Sequence, residues 1–188
     1  QHCLDLIDAF KQDAVKSRYA DWAELMHYCD RSAAPVGRFL LDLHGGSRDG
    51  YGPSDALCNA LQVINHLQDC QDDYREMDRV YLPDNWMHEV SIGVGALDLP
   101  KTNPGLRHVI DRCLDATELL MVEARILPVG LTSRRLAMES AAIIRIADRL
   151  IEALRTHDPL ATRVQLPKIG YLWQCLRGVL PVMLGFRG

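Results

Sequence analysis

Apolar residues recur along this chain at intervals of three and four, and almost nowhere at intervals of two. That period lays them along one face of a helix. Leu4, Leu6, Ile7 and Phe10 open a first amphipathic helix over residues 3–17. A second is expected from Tyr19 to about His44, stopped by Gly45 and Gly46 and kinked at Pro35, which lacks an amide donor. Ser47–Pro53 is rich in glycine and polar residues and reads as a loop. Ser54 then caps a long helix to about Met77, with Asp55 in its first turn favouring the dipole. Pro83 interrupts, a short helix is expected over Asp84–Val90, and residues 91–103 read as a loop. Pro104 sits in the first turn of a helix that runs to about Leu127 and stops at Pro128. Thr132 or Ser133 caps another, to about Thr156; an irregular stretch after Pro159 leads to a last helix over about Ile169–Leu184. No stretch alternates long enough for a sheet, and no repeat unit recurs. The pattern predicts an all-α fold, a single-domain antiparallel helical bundle.

Composition narrows the function classes. With 188 residues, 48% hydrophobic and 24% charged, the chain can bury a core and is not disordered. Its 25 acidic and 21 basic side chains give a net charge of -4, which offers no basic surface for nucleic acid. No run of 18 uncharged apolar residues supports a membrane-spanning helix, and residues 1–20 lack a signal-peptide pattern. Six cysteines are present without a CxxC pair; they read as reduced, mostly buried thiols of a cytoplasmic protein.

The informative window is Asn65-His66-Leu67-Gln68-Asp69-Cys70-Gln71-Asp72-Asp73. Asn65, Asp69 and Asp73 stand four apart, so on a helix their oxygens share one face. Clustered carboxylates repel unless a cation lies between them. Hard oxygen ligands suit Mg²⁺, which shares its shell with water and phosphate oxygens. Spacing alone leaves two readings open, a Mg²⁺–diphosphate site and a solvated acidic helix end. Arg75, Arg79 and Tyr81 follow, placing cations and a phenol where a diphosphate needs them. Upstream, Tyr28-Cys29-Asp30-Arg31-Ser32-Ala33-Ala34-Pro35-Val36-Gly37-Arg38 holds small residues that permit close approach.

These two segments, YCDRSAAPVGR (28–38) and NHLQDCQDDYREMDRVYLP (65–83), resemble the squalene and phytoene synthase family of head-to-head prenyl transferases, in order and spacing. The likeness continues to about residue 170. Within the family it is greatest to the hydroxysqualene synthases of bacterial hopanoid biosynthesis, through the proline of SAAPVGR and the wording NHLQDC and DRVYLP. The resemblance implies an isoprenoid-synthase helical bundle with a central cavity for prenyl diphosphates and Mg²⁺. It implies that Asn65, Asp69 and Asp73 are metal ligands, and that Tyr28 lines the cavity and handles a proton or cation. Ala33, Val36 and Gly37 match residues that shape the cavity; Arg79, Tyr81 and, more distantly, Arg163 match residues near the diphosphate.

The implied reaction takes presqualene diphosphate and water to hydroxysqualene and diphosphate without a hydride donor. The alternatives are a synthase condensing two prenyl diphosphates to presqualene diphosphate, squalene or phytoene, and a non-catalytic module that binds a prenyl diphosphate or a partner helix. The chain departs from the family twice. An earlier aspartate-rich metal motif is expected upstream of Gln1, in about a third of the family's length, which would make residues 1–188 the C-terminal two-thirds of one domain and leave the fragment alone inactive. Many relatives also carry arginine where Gln68 stands.

Other candidates keep plainer readings. Asp111 and Asp115 form a second DxxxD too late in the order and read as a solvated helix face. His66 reads as a packing or surface histidine. Glu139 either positions a water or pairs with Arg134, Arg135 or Arg145. Trp22, Trp86 and Trp173 are too widely spaced for an aromatic box. Gly170–Gly188, apolar with only Arg177 and Arg187 charged, either packs on the bundle or rests peripherally in a membrane interface.

Overall fold

A computed structural model of the chain describes residues 1–44 and 48–185. Among the described residues ten α-helices follow one another: α1 (His2–Asp13), α2 (Trp22–Ser32), α3 (Ala34–Leu43), α4 (Tyr51–Gln68), α5 (Cys70–Met77), α6 (Asp84–Glu89), α7 (Pro104–Ala124), α8 (Leu127–Gly130), α9 (Arg134–Thr156) and α10 (Lys168–Met183). Short 3₁₀ turns at Arg48–Gly50 and Val94–Asp98 complete the order, and no strand occurs among the described residues. The all-α expectation holds.

The core lies where α4, α7 and α9 meet. Leu57, Ala60, Val63, Ile64 and Leu67 of α4 face Leu106, Val109, Ile110 and Leu114 of α7, all buried. Ala147, Leu150, Ile151 and Leu154 close it from α9. Three caps set the register: Asp21 accepts from the Glu24 amide, Asn103 from Leu106 and Ser133 from Leu136. Of the two candidates named for α9, Ser133 is the cap.

The helices differ from expectation mainly at breaks. The stretch from Tyr19 to His44 is two helices, not one kinked helix: Ala33, at φ -120°, leaves the helical region and Pro35 begins the next element. Proline is tolerated there because the first amides of a helix lack partners anyway. The expected stop at Gly45 and Gly46, and Ser47 of the expected loop, lie outside the described residues. Ser54 does not cap α4, which already starts at Tyr51; its side chain is buried inside the bundle. The long helix ends at Gln68, and α5 starts anew at Cys70. Beyond Ala124, Pro128 opens the short α8 rather than ending α7.

All six cysteines are free thiols, with Cys29, Cys70 and Cys113 buried. Burial pushes the Cys70 thiol up to about 12, so it stays protonated. Among the described residues no helix is long and apolar enough to cross a membrane.

Candidate functional site

The break at Asp69 does not scatter the three oxygen ligands. The Asp69 amide donates to the Asn65 carbonyl at 3.0 Å, and the Asp73 amide to the Asp69 carbonyl at 2.8 Å. The four-residue ladder therefore continues through the junction, and Asn65, Asp69 and Asp73 occupy successive turns. Asn65 is exposed, while Asp69 and Asp73 are partly buried.

Asp73 is pushed up to about 6, first by burial and then by the neighbouring charge of Asp69; Arg79 pulls the other way. Oδ1 of Asp69 is buried and accepts no hydrogen bond. The Arg163 guanidinium lies 2.8 Å from it, close enough for an ion pair but not aligned as a hydrogen bond. Arg163 is itself 60% exposed, and such a pair contributes only about 0–1 kcal/mol. The arginine is thus held loosely over a carboxylate that lacks a better partner.

Gln68 explains how Arg163 arrives there. Its side-chain amide donates to the Val164 carbonyl. This contact tethers the irregular segment before α10 to the end of α4.

Past α5 the chain reverses. Asp78 takes a left-handed conformation (φ 48°, ψ 41°), which aspartate tolerates better than most residues. Arg18 donates to both its carbonyl and its carboxylate. Residues 80–85 then run beside residues 17–20, with the Val80 amide on the Ser17 carbonyl (2.9 Å) and the Asp84 amide on the Tyr19 carbonyl (2.9 Å). This reversal carries Arg79 and Tyr81 back to the end of α1.

A polar and aromatic nest results. Arg79 donates to the Asp13 carbonyl at 2.7 Å and to the Tyr81 hydroxyl at 3.3 Å, and sits 3.8 Å from the Asp13 carboxylate. The Tyr28 hydroxyl donates to the other Asp13 oxygen at 3.2 Å. Tyr19 packs on Tyr28 and Tyr81 with ring centroids 5.4 and 5.6 Å away, and Tyr28 and Tyr81 are 5.9 Å apart. His66 stacks on Tyr81 at 3.4 Å, with its Nε2 buried and unpartnered. Burial, reinforced by Arg79, pushes the imidazole down to about 3, so it is neutral. Burial also drives the Tyr19 and Tyr28 phenols far above their ordinary range, so both stay protonated.

The predicted residues therefore fall into two groups. Asn65, Asp69, Asp73 and Arg163 gather around the α4–α5 junction; Tyr28, Arg79 and Tyr81 share the aromatic nest, joined to the first group through the influence of Arg79 on Asp73. Ala33, Val36 and Gly37 lie apart from both. Ala33 is the hinge between α2 and α3, Val36 is 50% exposed, and Gly37 is pressed against α4. A Cβ on Gly37 would lie 2.4 Å from the Ser54 hydroxyl and 2.7 Å from the Cys58 sulfur. Gly37 also lines an apolar cleft of about 110 Å³ with Leu57, Leu61 and Leu136.

Asp13 and Tyr19 were not predicted. Each stands at or beyond the end of α1 and gains its place only from the returning segment, so no local spacing marks them. The plainer readings fare as follows. Asp111 pairs with Arg107 (2.5 Å) and Asp115 with Arg155 (2.7 Å) on the surface. Glu139 pairs with Arg135 at 3.2 Å. Trp22 and Trp86 stack at 5.5 Å, with Arg112 over Trp86, while Trp173 is exposed.

Comparison with known proteins adds a frame to this geometry. The model of the family "Squalene/phytoene synthase" matches residues 1–170. A hydroxysqualene synthase of Rhodopseudomonas palustris is 44% identical over 172 residues, covering 92% of this chain and 59% of its own length. That of Zymomonas mobilis is 45% identical, covering 87% of this chain and 55% of its own length. A squalene synthase of Alicyclobacillus acidocaldarius superposes with a TM-score of 0.76 at 31% identity, over 82% of this chain and 59% of that structure. A dehydrosqualene synthase superposes with a TM-score of 0.85 over 98% of this chain; at 21% identity it speaks to the fold alone. The chain thus spans well under two thirds of the hydroxysqualene synthases that it matches. Sequence, fold and the order of the two motifs agree: the chain belongs to the squalene/phytoene synthase family.

Proposed function

We propose that this chain is the C-terminal part of a hydroxysqualene synthase, converting presqualene diphosphate and water into hydroxysqualene and diphosphate. The two hydroxysqualene synthases at 44% and 45% identity support the branch. The family is in general divalent-metal dependent and acts on prenyl diphosphates. The observation that carries the chemistry is the pair Asp69 and Asp73. Two carboxylates share one face, one oxygen lacks a hydrogen bond, and Asp73 is driven up by burial first and by the charge of Asp69 second. That is the electrostatic form of a cation site.

The donor set fits Mg²⁺: two carboxylates and the Asn65 amide oxygen are hard ligands. Among the described residues no three His, Cys, Asp or Glu side chains converge as a cation site. Water, phosphate oxygens and an upstream segment of the domain complete the shell in this reading. Once bound, the ion neutralises the departing diphosphate.

The chain's own residues do the rest. Asn65, Asp69 and Asp73 would hold the ion, and Arg163, weakly held at Asp69, would be free to pair with a diphosphate oxygen. Arg79 stays on Asp13 and Tyr81 and keeps a positive charge beside the leaving group. Tyr28 is a protonated donor committed to Asp13, which makes it a poor base. Tyr19 is wholly buried and Tyr28 nearly so, which leaves Tyr81, 8% exposed, as the ring of the nest with most surface to offer the cation left when the diphosphate departs. The cleft lined by Gly37, Leu57 and Leu61 takes prenyl carbon and keeps water out. The C-terminal segment supplies a peripheral membrane contact suited to an apolar product.

The test is substitution of Asp69 and Asp73 to asparagine in the full-length protein. Each change is expected to cut turnover by about 100-fold or more and to weaken Mg²⁺ binding measured by calorimetry. Turnover that survives both changes contradicts the metal assignment.

A further inference from the structure

None of the chain's 25 acidic residues lies beyond Asp158, whereas four basic ones do: Arg163, Lys168, Arg177 and Arg187. A segment of charge +4 thus follows a body of charge -8, on a chain of net -4. Within this segment α10 presents two unlike faces. Gly178 is buried against α9, where a Cβ would lie 2.6 Å from the Ala142 Cα and 2.7 Å from the Ala141 carbonyl oxygen. On the opposite side Ile169, Leu172, Trp173, Leu176, Leu180 and Met183 are each between 45% and 82% exposed.

At about 100° per residue these six side chains fall within an arc of roughly 100°. Lys168 projects on one flank of that arc and Arg177 on the other. A large apolar stripe bordered by cations marks an interaction surface rather than ordinary solvent exposure. The cations are also unspent. Arg177 and Arg145 line a groove of about 300 Å³ between α9 and α10, and neither forms an ion pair among the described residues. Asp148 in the same groove is taken by Arg125 at 2.6 Å, and Glu152 nearby by Arg149.

We propose that α10 is an interfacial helix, which lays this stripe into the headgroup layer of an anionic phospholipid bilayer with Lys168, Arg145 and Arg177 on lipid phosphates. Charge complementarity selects this occupant: α10 carries Lys168 and Arg177 and no acid, and the acids of the adjoining groove, Asp148 and Glu152, are already paired, so its cations are drawn to a negative surface. The geometry is that of a helix lying on the bilayer: sixteen residues reach about 24 Å, short of the roughly 30 Å of hydrocarbon, and the helix carries two charges. The family model ends at residue 170, within the first turn of α10. The proposal names the surface and the lipid for the peripheral contact given above. It is read by binding alone, so it can fail while the reaction stands, and the reverse.

The experiment uses the full-length protein with vesicles of phosphatidylcholine, alone or mixed with phosphatidylglycerol. Co-sedimentation is expected with the mixed vesicles, weaker with the neutral ones and reduced by added salt. Arg177→Glu is expected to weaken it by fivefold or more, since one basic residue near an anionic surface is worth about fivefold in partition. Leu176→Asp with Leu180→Asp is expected to abolish it, with circular dichroism and Tm unchanged because both side chains already face outward. Vesicles should shift tryptophan emission to the blue, and Trp173→Phe should remove most of that shift. Failure to sediment with either vesicle overturns the proposal. So does a fall in Tm of the double variant without lipid, which would show that protein covers the stripe.

Discussion

Asp73 stands under two opposed demands. Burial and Asp69 hold its proton up to about 6, while a cation ligand must be ionised. Because its folded value lies above the unfolded one, this group stabilises the metal-free fold at low pH, and that contribution is lost as pH rises through about 6. Asp73→Asn should therefore raise the Tm of the metal-free protein near neutrality and leave it nearly unchanged at about pH 4. Cation affinity should run the other way, falling about tenfold per unit below that pKa as protons compete for the carboxylate. His66 moves stability in the opposite sense: held neutral down to about 3, it disfavours the fold as pH drops below its ordinary value. The comparison with Asp73→Asn isolates the aspartate from it. A Tm difference that is flat between pH 4 and pH 7 would remove the basis for reading Asp69 and Asp73 as a coupled pair.

At the scale of elements, two glycines allow helices to approach closely, and they are not equivalent. A Cβ on Gly37 meets the far ends of Ser54 and Cys58, which can rotate away; one on Gly178 meets α9 backbone, which cannot. Gly178→Ala should cost about 1–3 kcal/mol by forcing α10 from α9. Gly37→Ala should cost less, since helix propensity returns up to about 1 kcal/mol. Thermal melts of the two variants measure the difference, and equal losses would contradict the packing described. The helical pattern made most of these elements legible, because each long helix buries one face. The break at Ala33 was legible only as a kink at Pro35, two residues on, and that at Asp69 not at all, since its sequence would suit an unbroken helix. The metal-ligand spacing survived its break because the hydrogen-bond ladder runs through it. Asp13 and Tyr19 were illegible for a different reason: they become neighbours of Arg79 and Tyr28 only after Asp78 turns the chain back.

For the whole molecule, the described residues keep their polar, aromatic and apolar features in separate places. The carboxylates gather with Arg163 at the α4–α5 junction, and the aromatic nest adjoins them through Arg79; the apolar cleft lies apart, between α3, α4 and α9; α10 faces outward with its own charge pattern. Membership of the family does not choose among products, because a presqualene diphosphate synthase also matches this chain, at lower identity than the hydroxysqualene synthase of Rhodopseudomonas palustris. The most direct measurement supplies the full-length protein with Mg²⁺ and presqualene diphosphate, leaves NADPH out, and identifies the extract by mass spectrometry, with farnesyl diphosphate as a parallel substrate. Hydroxysqualene from presqualene diphosphate alone is the predicted result. Presqualene diphosphate formed from farnesyl diphosphate, with no alcohol from either substrate, would contradict it and assign the chain to the condensing branch.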